Sequence, residues 1–355
     1  MVAHFLILLP QPFFLKADVE YVSVSTTTDG IDYVIHSPVQ SELRSEAKGG
    51  PVGIILSKVV PAANPGIDQD MTIDGQAVVA CDLVRVDAHA PEFDRSSGFD
   101  VKADPVVGHV FELVNRWLLL YRTITGATMV RAVSTDSATW RVIYRADDGT
   151  ELAVSEGSVR GRGMVRVEVA GRSTLTPEFW RDLWSAIPDD YEVARWDELR
   201  VDAAELLPNI GAALVLAYTA LEIRIDDAIE VLAGSSITDR QVWNWFVRKR
   251  PLAMLPSTED KAKALFRIFT GSSMADSDEV WRTFTRLRKA RNAFAHGGVA
   301  RNEQGQALTV ADAAALVAES RSVQDWLESH LPPTRRRPTL EQKAEISITA
   351  QLFQV

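Results

Sequence analysis

The 355-residue chain has one cysteine, Cys81, so no disulfide can form within it. A lone thiol suits a reducing compartment. No run of 18 apolar residues occurs, which argues against a membrane-spanning helix. The opening MVAHFLILLP has too short an apolar run for a secretory signal, with no Lys or Arg before it. A cytosolic, non-membrane protein is expected. Metal-ligand spacing is also missing. His4, His36, His89 and His109 are scattered. The stretch DAHAPEFD (87–94) places Asp87, His89, Glu92 and Asp94 in what reads as a solvated acidic loop rather than a metal site. There is no Gly-x-Ser-x-Gly elbow, and no Cys–His nucleophile pair is indicated. VRGRGM (159–164) has the wrong glycine spacing for a phosphate loop or dinucleotide fingerprint and reads as a turn between strands. No cofactor and no metal are expected, and no internal repeat is visible.

Positive charge is scarce overall, with a formal net charge of −10. That argues against a chain that coats nucleic acid indiscriminately. The distribution is uneven, however. Residues 234–301 hold 13 Lys and Arg against 6 Asp and Glu, while the other residues hold 25 against 42. A polyanion would be drawn to one segment and repelled elsewhere.

Hydrophobic content of 46% with 24% charged residues is that of a globular protein long enough for two domains. FLILL, DYVIHS, VGIILSKVV, AVVACDLVRV, WRVIYRA and MVRVEVA, all before residue 175, read as strands. The Asp-Gly of RADDGTEL (145–152) suits a tight hairpin turn. Val110, Leu113, Val114, Trp117, Leu118 and Tyr121 recur at helical spacing, so one helix is expected over 106–124. Residues 1–175 therefore read as an α+β domain whose role the residues do not show, with sensing, regulation or substrate selection as the candidates. From Thr176, an N-cap ahead of Pro177, the period turns helical. Residues 176–200 read as a helical linker. Ile210, Leu214, Ala217, Leu221, Ile225, Ala228 and Leu232 form an amphipathic helix ending at Gly234. Further helices are expected over 238–250, 257–270, 276–296 and 309–330. Together these make an all-α bundle of about five helices over 201–332, followed by a tail, 333–355, that starts with PPTRRRP.

One segment concentrates chemistry: RLRKARNAFAHGG (286–298). Trp281, Phe284, Leu287, Ala290 and Phe294 form an apolar stripe, and at 100° per residue Arg291 falls inside it. A cation there needs a partner or a purpose, because burying an unpaired charge is costly. Asn292 and His296 are i, i+4 neighbours on the polar flank, so the amide could orient the imidazole. The plainer account is a helix end whose cations meet the macrodipole, with Gly297 as its C′ cap.

Arg291-Asn292-Ala293-Phe294-Ala295-His296 resembles the signature of the HEPN superfamily (higher eukaryotes and prokaryotes nucleotide-binding domain), an arginine, often a polar residue next, then a histidine after four to six intervening residues, four of them here. AYTALEIRI (217–225) is similar to the first long helix of many bacterial members. The resemblance covers about residues 200–332. It implies an all-α HEPN-like bundle behind the α+β domain, and a metal-independent endoribonuclease whose site forms where two protomers meet. Arg291 and His296 would then be the catalytic pair and Asn292 the orienting group. Arg288 and Lys289, with Arg248, Lys249 and Arg250 as a second cluster, are the candidates for RNA phosphates. The implied partners are RNA, a second copy of the chain, and an antitoxin or regulatory protein in a toxin–antitoxin or antiviral system. Glu222, on the first long helix, reads more plainly as a surface residue with i, i+4 contacts. The alternatives are a non-catalytic HEPN module binding RNA, nucleotide or a protein, and a bundle serving only as a dimerisation platform.

Overall fold

Alternating runs in the first half and 3.6-residue periods in the second produce two units, residues 1–192 (with Leu340–Val355) and Val193–Thr339. The computed structural model describes residues 1–16, 19–39, 72–73, 76–89, 104–157, 174–187, 191–236, 256–338 and 340. The expected strands at 52–60 and 164–170, the turn at 159–164 and the helix at 238–250 lie outside these residues, as do Arg248, Lys249 and Arg250.

The first unit is built on a long strand, β1 (Val2–Lys16), flanked by β2 (Val24–Thr28), β3 (Ile31–Ile35), β4 (Thr72–Ile73), β5 (Gln76–His89), β6 (Trp140–Arg145), β7 (Glu151–Gly157) and β8 (Thr174–Leu175). The sheet order is β2-β3-β5-β1-β6-β7, every neighbouring pair antiparallel, with β8 adding parallel to β1. β1 runs through Pro10 and Pro12, and its register against β5 shifts between Leu8 and Phe13. Proline lacks the N–H a regular ladder needs, so it sits at such an irregularity. The Asp-Gly at 148–149 forms the β6–β7 turn, with Gly149 left-handed. A second Asp-Gly, at 29–30, makes the tight β2–β3 hairpin; both residues have positive φ, the signature of a type I′ turn. The sequence carried that signal too, although neither β2 nor its turn was expected.

The expected helix over 106–124 is α1 (Pro105–Thr125), capped by the Asp104 carboxylate, which accepts from the Val106 N–H at 2.9 Å. It covers the sheet face made by Phe5, Ile7, Val84, Val86, Val142 and Tyr144. Phe13 packs on Trp117 and Tyr121 with ring centroids 4.8 Å apart in each case. Helix α2 (Pro177–Ser185), N-capped by Thr176, joins the same core, because Trp180 meets Trp117 edge-on at 5.3 Å. The 176–200 segment is therefore not a linker. Its first helix belongs to the first unit and its last residues to the second.

The opposite sheet face carries a polar row. His4 on β1 sits directly across from Asp87 on β5. Asp87 is 7% exposed and receives bonds from His4 Nδ1 (2.8 Å), His36 Nε2 (2.9 Å) and the bidentate Arg85 guanidinium. Asp87 and His89 thus belong to a strand, not to a loop, and residues 90–94 are outside the described residues. Burial opposes the charge on Asp87, but its bonds from Arg85, His4 and His36 hold its carboxyl well below the usual range. With the folded pKa depressed, the stabilisation is complete above the unfolded carboxylate value, about 3.9, and drains away as pH falls below it. Asp87→Asn is expected to cost about 3 kcal/mol at neutral pH and to flatten the acid limb of a urea-unfolding series. An unchanged acid limb would contradict this.

The second unit comprises α3 (Arg195–Glu205), α4 (Ile210–Ser236), α5 (a continuous stretch of Thr258–Asp260, the π-helical Lys261–Leu265 and Phe266–Thr270), α6 (Asp278–Gly297) and α7 (Val310–Ser329). Ser257 with Asp260 and Thr309 with Asp312 form capping boxes that start α5 and α7. The expected α4 stripe is the core face. Leu214, Ala217, Leu221 and Ile225 bury against Phe266, Phe284, Leu287, Leu316 and Leu327. Mixed α+β character is thus as expected.

Arg224 lies inside this unit, 1% exposed. It donates to Asp227 at 2.5 Å and to Glu328, and its guanidinium lies 4.3 Å over the Trp196 ring. Glu328 also accepts from the Arg337 N–H, and the Arg337 side chain binds Asp197 (2.9 Å) and Asp325 (2.5 Å). Residues 333–338, expected to open a tail, are therefore clamped onto α3 and α7.

Candidate functional site

Three aspects of the sequence place the 286–298 segment. Ser277 starts α6 after a short 3₁₀ turn, the stripe Val280, Phe284, Leu287, Ala290 buries it, and glycine ends it. The left-handed cap is Gly298 (φ 71°), whose N–H donates to Phe294 O at 2.7 Å; Gly297 is still helical, so the cap falls one residue later than expected. Phe294 packs against the start of α4. A β-carbon at Gly211 would come 2.0 Å from its ring, so only glycine allows this approach. The α6 terminus is thereby pinned to α4.

Arg291 is half-buried, as its place in the stripe implied. Its Nη1 donates to Asn292 Oδ1 at 3.0 Å, and its Cζ lies 5.5 Å from the Tyr218 ring centroid on α4. Its Nε is buried with no partner. Among the described residues the guanidinium therefore meets a neutral amide and an aromatic face, and no carboxylate. Burial raises the Tyr218 hydroxyl above its ordinary pKa; a bond with Thr258 opposes this, the Glu222 charge adds to it, and Arg288 and Arg291 oppose it. Asn292 serves Arg291 rather than orienting His296. His296 is exposed in the last turn, and among the described residues it has no hydrogen-bonding or ionic partner.

Helical geometry separates the pair. Five residues give about 7.5 Å along the axis but about 140° around it. Arg291 turns inward onto Tyr218 and His296 outward to solvent, so one chain does not bring them together.

Among the described residues, much of this segment's positive charge is paired internally. Arg288 pairs with Glu259, Lys289 with Glu303 at 2.9 Å, Arg286 with Glu319 at 3.0 Å, Lys261 with Asp226 at 2.6 Å, and Arg267 with Asp276. Asp226, Glu303 and Glu319 lie outside residues 234–301, so a local charge count missed them, whereas Glu259 and Asp276 lie within it. Glu222 differs from its plainer reading too, accepting from Thr258 Oγ1 on α5 at 3.0 Å. Among the described residues of α6, Arg291 is therefore the half-buried cation left for an anion to meet. If RNA binds, Arg291→Ala is expected to lower the salt slope of its affinity by about 1, and Arg288→Ala to change it little. Filter binding between low and moderate salt checks this, and equal slopes for both variants would contradict it.

No family model, curated protein or solved structure matches the chain.

The site's chemistry must therefore be read from its residues. The one cysteine is Cys81. It lies in the first unit, and burial, with the neighbouring Asp82 charge, pushes its thiol up to about 12. Among the described residues no group of three or more His, Cys, Asp or Glu could hold a metal ion, and no helix is long and apolar enough to cross a membrane.

Proposed function

We propose that residues 193–338 form a HEPN-type helical bundle acting as a metal-independent endoribonuclease, with Arg291 and His296 completing a site across a homodimer. The observation that carries this reading is the contrast on α6. Arg286, Arg288 and Lys289 each have a carboxylate, whereas among the described residues half-buried Arg291 has only neutral partners and His296 has none. A guanidinium with no counter-charge among the described residues, and an unengaged imidazole further along the same helix, are groups that suit a phosphodiester once two chains bring them together.

RNA carries its own nucleophile. His296 takes the 2′-OH proton as that oxygen attacks phosphorus, and Arg291 stabilises the charge on the non-bridging oxygens. His296 of the partner subunit protonates the departing 5′-oxygen, since each chain offers a single imidazole here. The products are a 2′,3′-cyclic phosphate and a 5′-OH. The 140° divergence within one helix is a second reason for a two-chain site, because a two-fold axis can set the inward Arg291 of one protomer near the outward His296 of the other. A cytosolic toxin or antiviral setting, with an antitoxin or regulatory partner and a sensing first unit, follows from the family resemblance alone.

One observation favours a second reading, a non-catalytic HEPN module binding RNA, a nucleotide or a protein. Arg288 and Lys289, two of the expected phosphate contacts, are instead engaged in ion pairs with Glu259 and Glu303. Incubation of mixed tRNA and mRNA in EDTA decides between them. Discrete cleavage that disappears in His296→Ala supports the nuclease, while RNA binding without cleavage supports the module.

A further inference from the structure

A hydroxyl, an imidazole and a carboxylate line up in the first unit, far in sequence from the Arg291–His296 helix. Ser23, just ahead of β2, places its Oγ 2.9 Å from His36 Nδ1, and His36 Nε2 lies 2.9 Å from Asp87 Oδ2. The proton positions follow from Asp87. Held ionised by Arg85 and the two imidazoles, it can only accept. His36 therefore carries its hydrogen on Nε2, leaving the Nδ1 lone pair toward Ser23, whose hydroxyl donates to it. His4 fills the other carboxylate oxygen, so the Asp87 side chain cannot turn away from His36 without losing that bond. Ser23 is exposed, while His36 is half-buried behind it. A nucleophile bonded to a base that is fixed by a third group is the arrangement that activates serine.

We propose that Ser23 is a nucleophile, activated by His36 and oriented through Asp87, that accepts the acyl group of small activated esters. The Ser23 O–H breaks as Oγ bonds to the acyl carbon, and its proton passes to His36 Nδ1. The alcohol then leaves with that proton. Water, deprotonated by the same nitrogen, cleaves the acyl-enzyme to a carboxylic acid and restores the hydroxyl. Arg85 spends two of its five N–H donors on Asp87, and its side chain is 46% exposed, so donors remain for an incoming anionic oxygen.

The test is covalent labelling of the full chain with a fluorophosphonate, mapped by peptide mass spectrometry. The expected result is an adduct at Ser23 in preference to exposed Ser25 two residues away, absent in Ser23→Ala. In His36→Gln, labelling should fall by about 10²-fold or more. No adduct at Ser23, or equal labelling of Ser23 and Ser25, overturns the proposal. So does an unchanged rate in a folded His36→Gln. The wild-type comparison of Ser23 with Ser25 decides the matter even where the His36 variant does not fold. Neither result bears on RNA cleavage.

Discussion

Replacing His296 with alanine is expected to lower RNA cleavage by about 10²–10⁴-fold, the range one positioned acid–base group supplies. His296 is exposed in the last turn of α6 and partnerless among the described residues, so its removal should leave folding and oligomeric state intact. Arg291→Ala should match the loss in rate, because the guanidinium acts on the same phosphorane. It should also cost some stability, since the arginine packs over Tyr218. A wild-type protein whose products end in 2′,3′-cyclic phosphate in excess EDTA, beside an inactive His296→Ala at matched dimer content, would establish the site. Equal cleavage by wild type and His296→Ala would reduce the segment to an ordinary helix end. Strict dependence on Mg²⁺ would sink the proposed mechanism.

Glu328→Ala is expected to destabilise the second unit by about 3–5 kcal/mol, the largest single effect on stability foreseen here. The reason is what remains behind. Arg224 would stay nearly fully buried with only Asp227, itself partly exposed, as counter-charge, and the Arg337 N–H would lose its acceptor. The pair itself need not be strongly stabilising, because desolvating two charges consumes most of their attraction. The double variant Arg224→Met with Glu328→Leu should therefore recover most of the loss. Urea unfolding of the three proteins tests this. A loss under about 1 kcal/mol in the single variant would show that Arg224 is solvated in solution.

Much of the architecture was legible from local pattern. Alternation located β3, β5 and β6, the Thr176-Pro177 pair located α2, and steps of three and four located α4, α6 and α7. In each case the burial that stabilises an element is written in its own periodicity. The elements missed or misplaced depended on partners elsewhere. Residues 87–89 looked like an acidic loop because Asp87 is polar, yet His4, His36 and Arg85 satisfy it within a strand. PPTRRRP looked like a break, but Arg337 finds carboxylates on α3 and α7. The Ser23–His36–Asp87 line had no motif, since its members come from three separate segments.

By itself the sequence determined the α+β character, the helical second half and the position of Arg291 within an apolar stripe, because chain-local periodicity fixes which face of an element is buried. Only the tertiary structure decided which charges are spent. It gave Arg288 and Lys289 their carboxylates and left Arg291 with an amide and an aromatic ring. It also turned His296 outward. A side chain's charge is local to the sequence, but its compensation depends on what the fold brings within a few ångströms.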